Sequence, residues 1–214
     1  MTDRQVRDEA MTLFLAGHET TSIALTWAWY LLSQSPGAEA RLHAELDQVL
    51  QGRAPTVEDV PRLAYTANVV SETLRLYPPA PALGREATLD CELGGYPVRK
   101  RTNVILSQWV IQRDPRWFDR PDEFHPERWE NDLARRIPRF AYFPFGGGQR
   151  TCIGNSFATM EATLLLATMA RRFRLRLVPG HPVEPQARFT LRPANGMRMV
   201  LEARPPVAAR AARA

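Results

Sequence analysis

The chain has 214 residues, two cysteines, no low-complexity tract and a net charge of +5, so it can bury a real core and is too poor in cysteine for a disulfide framework. Lys100 is the only lysine, which makes nearly all the positive charge arginine. No aromatic–basic interleaving of a nucleic-acid module appears, and the longest uncharged run of the first helix, Thr20 to Ser35, is too short for a comfortable membrane span.

An acidic protein partner is the preferred meaning of the basic balance, set against a merely solvated surface. The opening residues do not read as a secretory leader, and a cytosolic, reducing setting is the expectation. The spacing of Val6, Ala10, Leu13, Phe14 and Gly17 predicts one long helix from Val6 to Gln34. From Leu13 to Leu32 it is apolar on most sides, which predicts burial through the middle of a domain. Ala16-Gly17-His18-Glu19-Thr20-Thr21 is a polar island inside that run. Thr hydroxyls bond back to carbonyls one turn earlier, so a bent or opened helix offering a groove is expected there. A zinc-protease reading of His18-Glu19 fails because Ser22 stands where the second histidine is needed.

Pro36 to Gln51 reads as an amphipathic helix ending near Gly52, with His43 on its surface. Thr56 to Asp59 looks like a capping box opening a short helix. A longer helix, Ala64 to Tyr77, is stopped by Pro78-Pro79 and carries Glu72 and Arg75 on one face, one turn apart. The apolar neighbours Val69, Val70, Leu74 and Leu76 predict that this pair is at least partly buried. Ala80 to Arg85 leaves as an extended segment whose small side chains suit a pocket lining.

Thr88 to Leu106 alternates and turns, predicting a small antiparallel sheet with a Gly94-Gly95 hairpin and a structural Cys91. Ser107 to Arg113 reads as a short helix. Asp114 to Tyr142 is long and irregular, but Trp117, Phe118, Phe124, Trp129 and Phe140 predict a packed coil, with His125 a packing or surface residue. Phe143 to Gly154 holds three adjacent glycines, Arg150 and Cys152, and predicts a tight loop that presents Cys152 at the start of a helix over Ile153 to Phe173. Helix N-termini and nearby arginines favour a thiolate, which is then a metal ligand or a nucleophile. Closing strands are expected at Phe173–Val178, Phe189–Arg192 and Met197–Ala203, with the Phe189–Leu191 turn within reach of substrate. Arg204 to Ala214 reads as a frayed tail. Rossmann and P-loop readings are excluded, since Gly146–Gly148 lacks a third glycine in register and no glycine-rich loop precedes Lys100.

Phe145-Gly-Gly-Gly-Gln-Arg-Thr-Cys152-Ile-Gly154, with Phe157, Ala158 and Glu161 beyond it, resembles the haem-binding loop of the cytochromes P-450. The island Ala16 to Thr21 resembles their oxygen-binding motif. Glu72-Thr-Leu-Arg75 resembles their Glu-x-x-Arg helix, and Pro126-Glu-Arg128-Trp the segment that completes it. The four motifs stand in the family's order; Pro97 to Arg101 departs from its Pro-Lys-Gly turn. The resemblance implies a mainly α fold with small antiparallel β-sheets, the C-terminal half of the cytochrome P-450 fold. It implies haem b with Cys152 as axial thiolate and iron ligand. Phe145, Gly146, Gly154, Ala158 and Ala16 would lie against the haem, and Arg150 and Arg85 would meet its propionates. Thr20 would stand beside bound dioxygen with Glu19 as its acidic neighbour, the two relaying protons.

Leu13, Gly17, Ala82 and Leu83 would line the substrate pocket. Glu72, Arg75 and Arg128 would form a structural triad beneath the haem. The implied activity is a haem-thiolate monooxygenase that inserts one atom of dioxygen into a small apolar organic substrate, with a lean toward fatty-acid-like molecules. Electrons would come from an acidic ferredoxin or flavodoxin-type partner, docking on Arg135, Arg136, Arg139, Arg171, Arg172, Arg174 and Arg176. Two alternatives stand beside it: a peroxide-using haem-thiolate enzyme, against which Glu19-Thr20 argues, and a truncated, catalytically incomplete haem-binding remnant. Family members are longer, so residues 1–203 are expected to be the C-terminal part of a domain and 204–214 a disordered tail. Membrane anchoring of a full-length form stays open.

Overall fold

The computed structural model describes residues 1–205. Helix α1 (Asp3–Gln34) is opened by Thr2, whose hydroxyl accepts from the Gln5 amide while the Gln5 side chain accepts from the Thr2 amide. It is followed by α2 (Pro36–Leu50), a 3₁₀ turn (Val57–Arg62) and α3 (Ala64–Leu76). Strands β1 (Leu83–Glu86), β2 (Cys91–Leu93), β3 (Tyr96–Val98) and β4 (Asn103–Leu106) lead to α4 (Gln108–Ile111), and the long coil contains a 3₁₀ turn (Pro126–Trp129) and α5 (Leu133–Arg136). Helix α6 (Asn155–Ala170) and strands β5 (Phe173–Leu177), β6 (Pro185–Ala187), β7 (Leu191–Pro193) and β8 (Met199–Ala203) complete the described chain. The architecture is mainly α with small antiparallel sheets, as expected.

The core lies where the second half of α1 meets α2, α3 and α6: Leu32, Leu42, Val69 and Leu166 are fully buried there. Burying each such side chain contributes about 1.5–3 kcal/mol. The first half of α1 departs from expectation. Leu13, Phe14 and Leu15 are about two-thirds exposed, at 59%, 62% and 62%, and burial begins only at Thr21. The helices that cover α1 pack against its C-terminal turns, so an apolar circumference did not imply burial here. The polar island does not open the helix either. Thr20 Oγ1 donates to the Ala16 carbonyl at 2.8 Å and Ser22 Oγ to the Glu19 carbonyl at 2.8 Å, and both are accommodated beside an unbroken ladder. No described helix is long and apolar enough to cross a membrane.

Four further expectations are corrected. His43 is buried, not superficial, because its face of α2 is the one that joins the core. The sheet expected over Thr88–Leu106 is two separate ladders: β1 pairs with β4, Leu83 opposite Leu106, and β2 pairs with β3 through Gly94 and Gly95, both left-handed. The extended segment after α3 is thus a paired strand. The strand expected from Phe189 begins at Leu191 and pairs with β6, which leaves Phe189 at the hairpin tip, 93% exposed. β5 and β8 pair as one ladder. Arg204, expected to open the tail, is buried and donates to the Ala170 carbonyl at 2.8 Å and to Asp47 at 2.9 Å; the rest of that tail, from residue 206, lies outside the described residues.

Candidate active site

The loop before α6 is tied down from beneath. Gln112 is fully buried. Its Nε2 donates to the carbonyls of Leu74 and Arg75 at 3.0 and 3.1 Å, and its Oε1 accepts the Phe143 amide at 2.9 Å. One amide group therefore satisfies free carbonyls at the end of α3 and fixes where the loop starts. The glycines then serve different needs. Gly146 has φ +73, and a Cβ there would sit 3.2 Å from Leu83 Cδ1; Gly147 has none to spare, since a Cβ would meet the Phe140 ring at 2.4 Å. The loop closes where the Cys152 amide donates to the Phe145 carbonyl at 3.0 Å.

The Cys152 thiol is free and exposed. Helix α6 begins at Asn155 with Gly154 as its cap, so the cysteine precedes the helix by more than the sequence suggested: Ile153 and Gly154 intervene. Gly154 lies beside it, 3.9 Å from Sγ to an added Cβ, and Phe145 packs on the core. Ile153 and Phe157 are 90% and 63% exposed. A soft sulfur donor between exposed apolar side chains fits a flat, apolar, iron-bearing group such as haem. Ala158 is half-buried in the first turn of α6, whereas Ala16 lies on the exposed part of α1. Arg150 is exposed; Arg85, on β1, turns its Nη1 to the Gly84 carbonyl at 2.8 Å.

Beneath the loop, α3 brings Glu72 and Arg75 together with Arg128. Arg75 and Glu72 are fully buried and joined by two bonds of 2.9 Å, and Arg128 Nε donates to Glu72 Oε1 at 2.8 Å. The His125 amide at 3.0 Å and Trp129 Nε1 at 2.9 Å complete the carboxylate's shell. Arg75 spends its remaining donors on the carbonyls of Gln112, Pro121 and Glu123. Trp129 rests against Tyr142 at 4.4 Å between centroids, and the Tyr142 hydroxyl donates to the Ser71 carbonyl at 3.1 Å. Burial pushes the Tyr142 phenol well above its usual range.

The expected relay pair diverges. Thr20 bonds back to Ala16, while Glu19 Oε1 accepts from Thr190 Oγ1 at 2.7 Å and from Arg192 Nη2. That hydrogen bond, then the charges of Arg192 and His18, hold the Glu19 carboxyl below the usual carboxylate range. The sequence placed the Phe189–Leu191 turn, and so Thr190, within reach of substrate, but the bonding of Thr190 and Arg192 to Glu19 was missed. A spacing of two, at the entry to a strand, lets both side chains turn to the same side, but nothing in that spacing names a partner 171 residues away. Gln112 carried no such signal.

The expected pocket residues also separate. Ala82 lines a cleft of about 340 Å³ with Pro81, Trp109, Pro185, Ala187 and Leu191. Leu83 reaches Gly146 instead, and Leu13 and Gly17 stand on the exposed half of α1. Of the arginines expected to form a basic face, Arg176 is withdrawn into bonds of 3.1 and 2.9 Å with buried Glu39, and Arg171 donates to the Gly52 carbonyl at 2.9 Å. Arg135, Arg136, Arg139, Arg172 and Arg174 remain exposed.

A family model described as Cytochrome P-450 matches residues 1–200. Cyclooctatin synthase of Streptomyces melanosporofaciens is 52% identical over 204 residues, 95% of this chain and 44% of the relative. Cyclooctat-9-en-7-ol 5-monooxygenase of the same organism is 44% identical over 178 residues, covering 83% and 39%. Pentalenene oxygenase of Streptomyces avermitilis is 39% identical over 204 residues, covering 95% and 45%. The chain spans less than half the length of these relatives.

Proposed function

The chain belongs to the cytochrome P-450 family, and on that premise we propose that it is the C-terminal part, residues 1–203, of a haem-thiolate monooxygenase domain acting on an apolar organic substrate. The observation that carries the reading is a free, exposed Cys152 in a loop shaped by left-handed glycines and tied through Gln112 to a buried ionic lock. When bound, haem supplies dioxygen activation by two electrons from a partner, one oxygen atom entering the substrate and the other leaving as water.

The rest is the work of this chain's own side chains. Cys152 is the thiolate donor. Gly146 and Gly154 let the backbone come close, with Phe145, Ala158 and Ala16 as apolar contacts. Arg150 and Arg85 supply forks for propionate carboxylates. The single hydrogen of Thr20 is engaged with Ala16, so Thr20 offers lone pairs to what lies beside it, not a proton. Adjacent helix residues do not face each other, so a proton passing between Glu19 and Thr20 travels through water. Leu13, Gly17, Ala82 and Leu83 are the proposed substrate contacts. The relatives' names give an alkenol and pentalenene, and lend no support to a fatty-acid-like substrate.

The exposed arginines Arg135, Arg136, Arg139, Arg172 and Arg174 suit an acidic electron-transfer protein of ferredoxin or flavodoxin type. Two free, exposed cysteines suit a reducing compartment, and we place the protein in the cytoplasm. The test is a reduced carbon monoxide difference spectrum of the haem-loaded chain. A strongly red-shifted thiolate band lost in Cys152→Ser is expected; the same band in both proteins would remove Cys152 as ligand. A second reading, a haem-binding remnant without turnover, is favoured by the exposed apolar half of α1. Haem uptake with the thiolate band but no product from any apolar substrate would establish it.

A further inference from the structure

We propose that Thr190 and Arg192 are positioning residues that clamp Glu19 to the β6–β7 hairpin through Oε1 and leave Oε2 as the only oxygen that takes up a proton. This rests on the monooxygenase reading for its use, though not for its geometry. The clamp is a closed ring. Arg192 Nε donates to Thr190 Oγ1 at 3.1 Å, Thr190 Oγ1 donates to Glu19 Oε1 at 2.7 Å, and Arg192 Nη2 donates to the same Oε1.

The direction of each bond is set by chemistry. A guanidinium only donates, so Thr190 must accept from it. The one hydroxyl hydrogen of Thr190 then points at Glu19, and Oε1 must accept twice. An oxygen that accepts from a hydroxyl and a guanidinium is not the one that carries the proton. Thr190 is 2% exposed, so it has little water to turn to.

The ring is also preorganised. Leu191, between the two clamp residues, is pinned at both backbone atoms. Its carbonyl accepts from Trp27 Nε1 at 2.9 Å, and its amide donates to the Pro79 carbonyl at 2.9 Å. Trp27 is fully buried and stacks on Tyr77 at 4.1 Å. Trp27 and Glu19 are two turns apart on α1, so one helix holds the hairpin at two points, one a neutral hydrogen bond and one ionic. Among the described residues, the charged groups acting on Glu19 are His18 on its own helix and Arg192 on the hairpin. The hairpin therefore sets the one carboxylate of the polar island, and a change in either clamp residue alters how readily Oε2 is protonated.

The clamp is tested by titrating the full chain carrying ¹³C-labelled glutamate, with the Glu19 signal assigned by its loss in Glu19→Gln. Thr190→Val and Arg192→Gln are expected to raise the Glu19 midpoint. Thr190→Ser and Arg192→Lys, which keep the hydroxyl and the charge, are expected to hold it nearer the parent value. The serine and valine pair decides the matter should Arg192→Gln fail to fold. An unmoved midpoint in Thr190→Val would overturn the proposal. In the haem-loaded protein the pH profile of product formed per electron pair should shift in the same direction as the midpoint; a fixed profile over a moving midpoint would also overturn it. Absence of a thiolate band in the parent protein would instead fail the monooxygenase reading, while the titration still judges the clamp.

Discussion

The molecule contains two carboxylate–arginine clusters built from similar parts and put to opposite uses. Glu72 and Arg75 are fully buried, and a second, largely covered arginine, a backbone amide and an indole complete the shell of the carboxylate. Around Glu19 a hydroxyl and one arginine hold a single oxygen, and the arginine is 53% exposed. A charge taken wholly out of water must be matched on every side, and once matched it is locked. A charge left half in water is held by less and still exchanges protons. The first arrangement suits a foundation, the second a site that titrates.

The comparison breaks most visibly at the foundation. Glu72→Ala leaves Arg75 buried and uncompensated, and should cost about 3–5 kcal/mol of stability, read as a lowered midpoint in urea unfolding. Gln112→Ala should cost about 1–3 kcal/mol, since it orphans the Phe143 amide and two carbonyls. Faster hydrogen exchange at Phe143 would mark the loop as the part released. Gly146→Ala forces a side chain into left-handed backbone against Leu83, at about 1–2 kcal/mol, and should weaken haem uptake more than it weakens folding.

Tyr142 sharpens the contrast through pH. Its folded value is raised, so its contribution is intact below the unfolded value of about 10 and is lost as pH rises further. Tyr142→Phe should therefore blunt alkaline unfolding, checked by melting temperatures across that range. The smallest effect is expected from Glu19→Gln, whose unfolding midpoint should match the parent's while product per electron falls. A midpoint shift as large as that of Glu72→Ala would erase the distinction between the clusters.

Much of this was legible in the chain. The pairing of Glu72 with Arg75 follows from helical spacing, and the Gly94-Gly95 hairpin follows from the backbone freedom of glycine. The loop that bears Cys152 was recognisable for the same reason: adjacent glycines and a following apolar helix are local signals. The exposure of Leu13 and Phe14 was not legible, because an apolar helix face reports that it can be covered, not that a neighbour covers it. His43 erred in the other direction, a polar residue on a face the fold turned inward.

What the sequence by itself determined, then, is each local conformation that propensity and spacing control: the long helices, their caps, the glycine turns and the order of the chemical motifs. What only the tertiary structure decided is which distant side chains complete one another. Gln112 reaches Phe143, Arg128 reaches Glu72, and Thr190 with Arg192 reaches Glu19 across a separation of 171 residues or more. Such bonds depend on the directions in which buried donors and acceptors finally point, and packing sets those directions only after the helices and hairpins have formed.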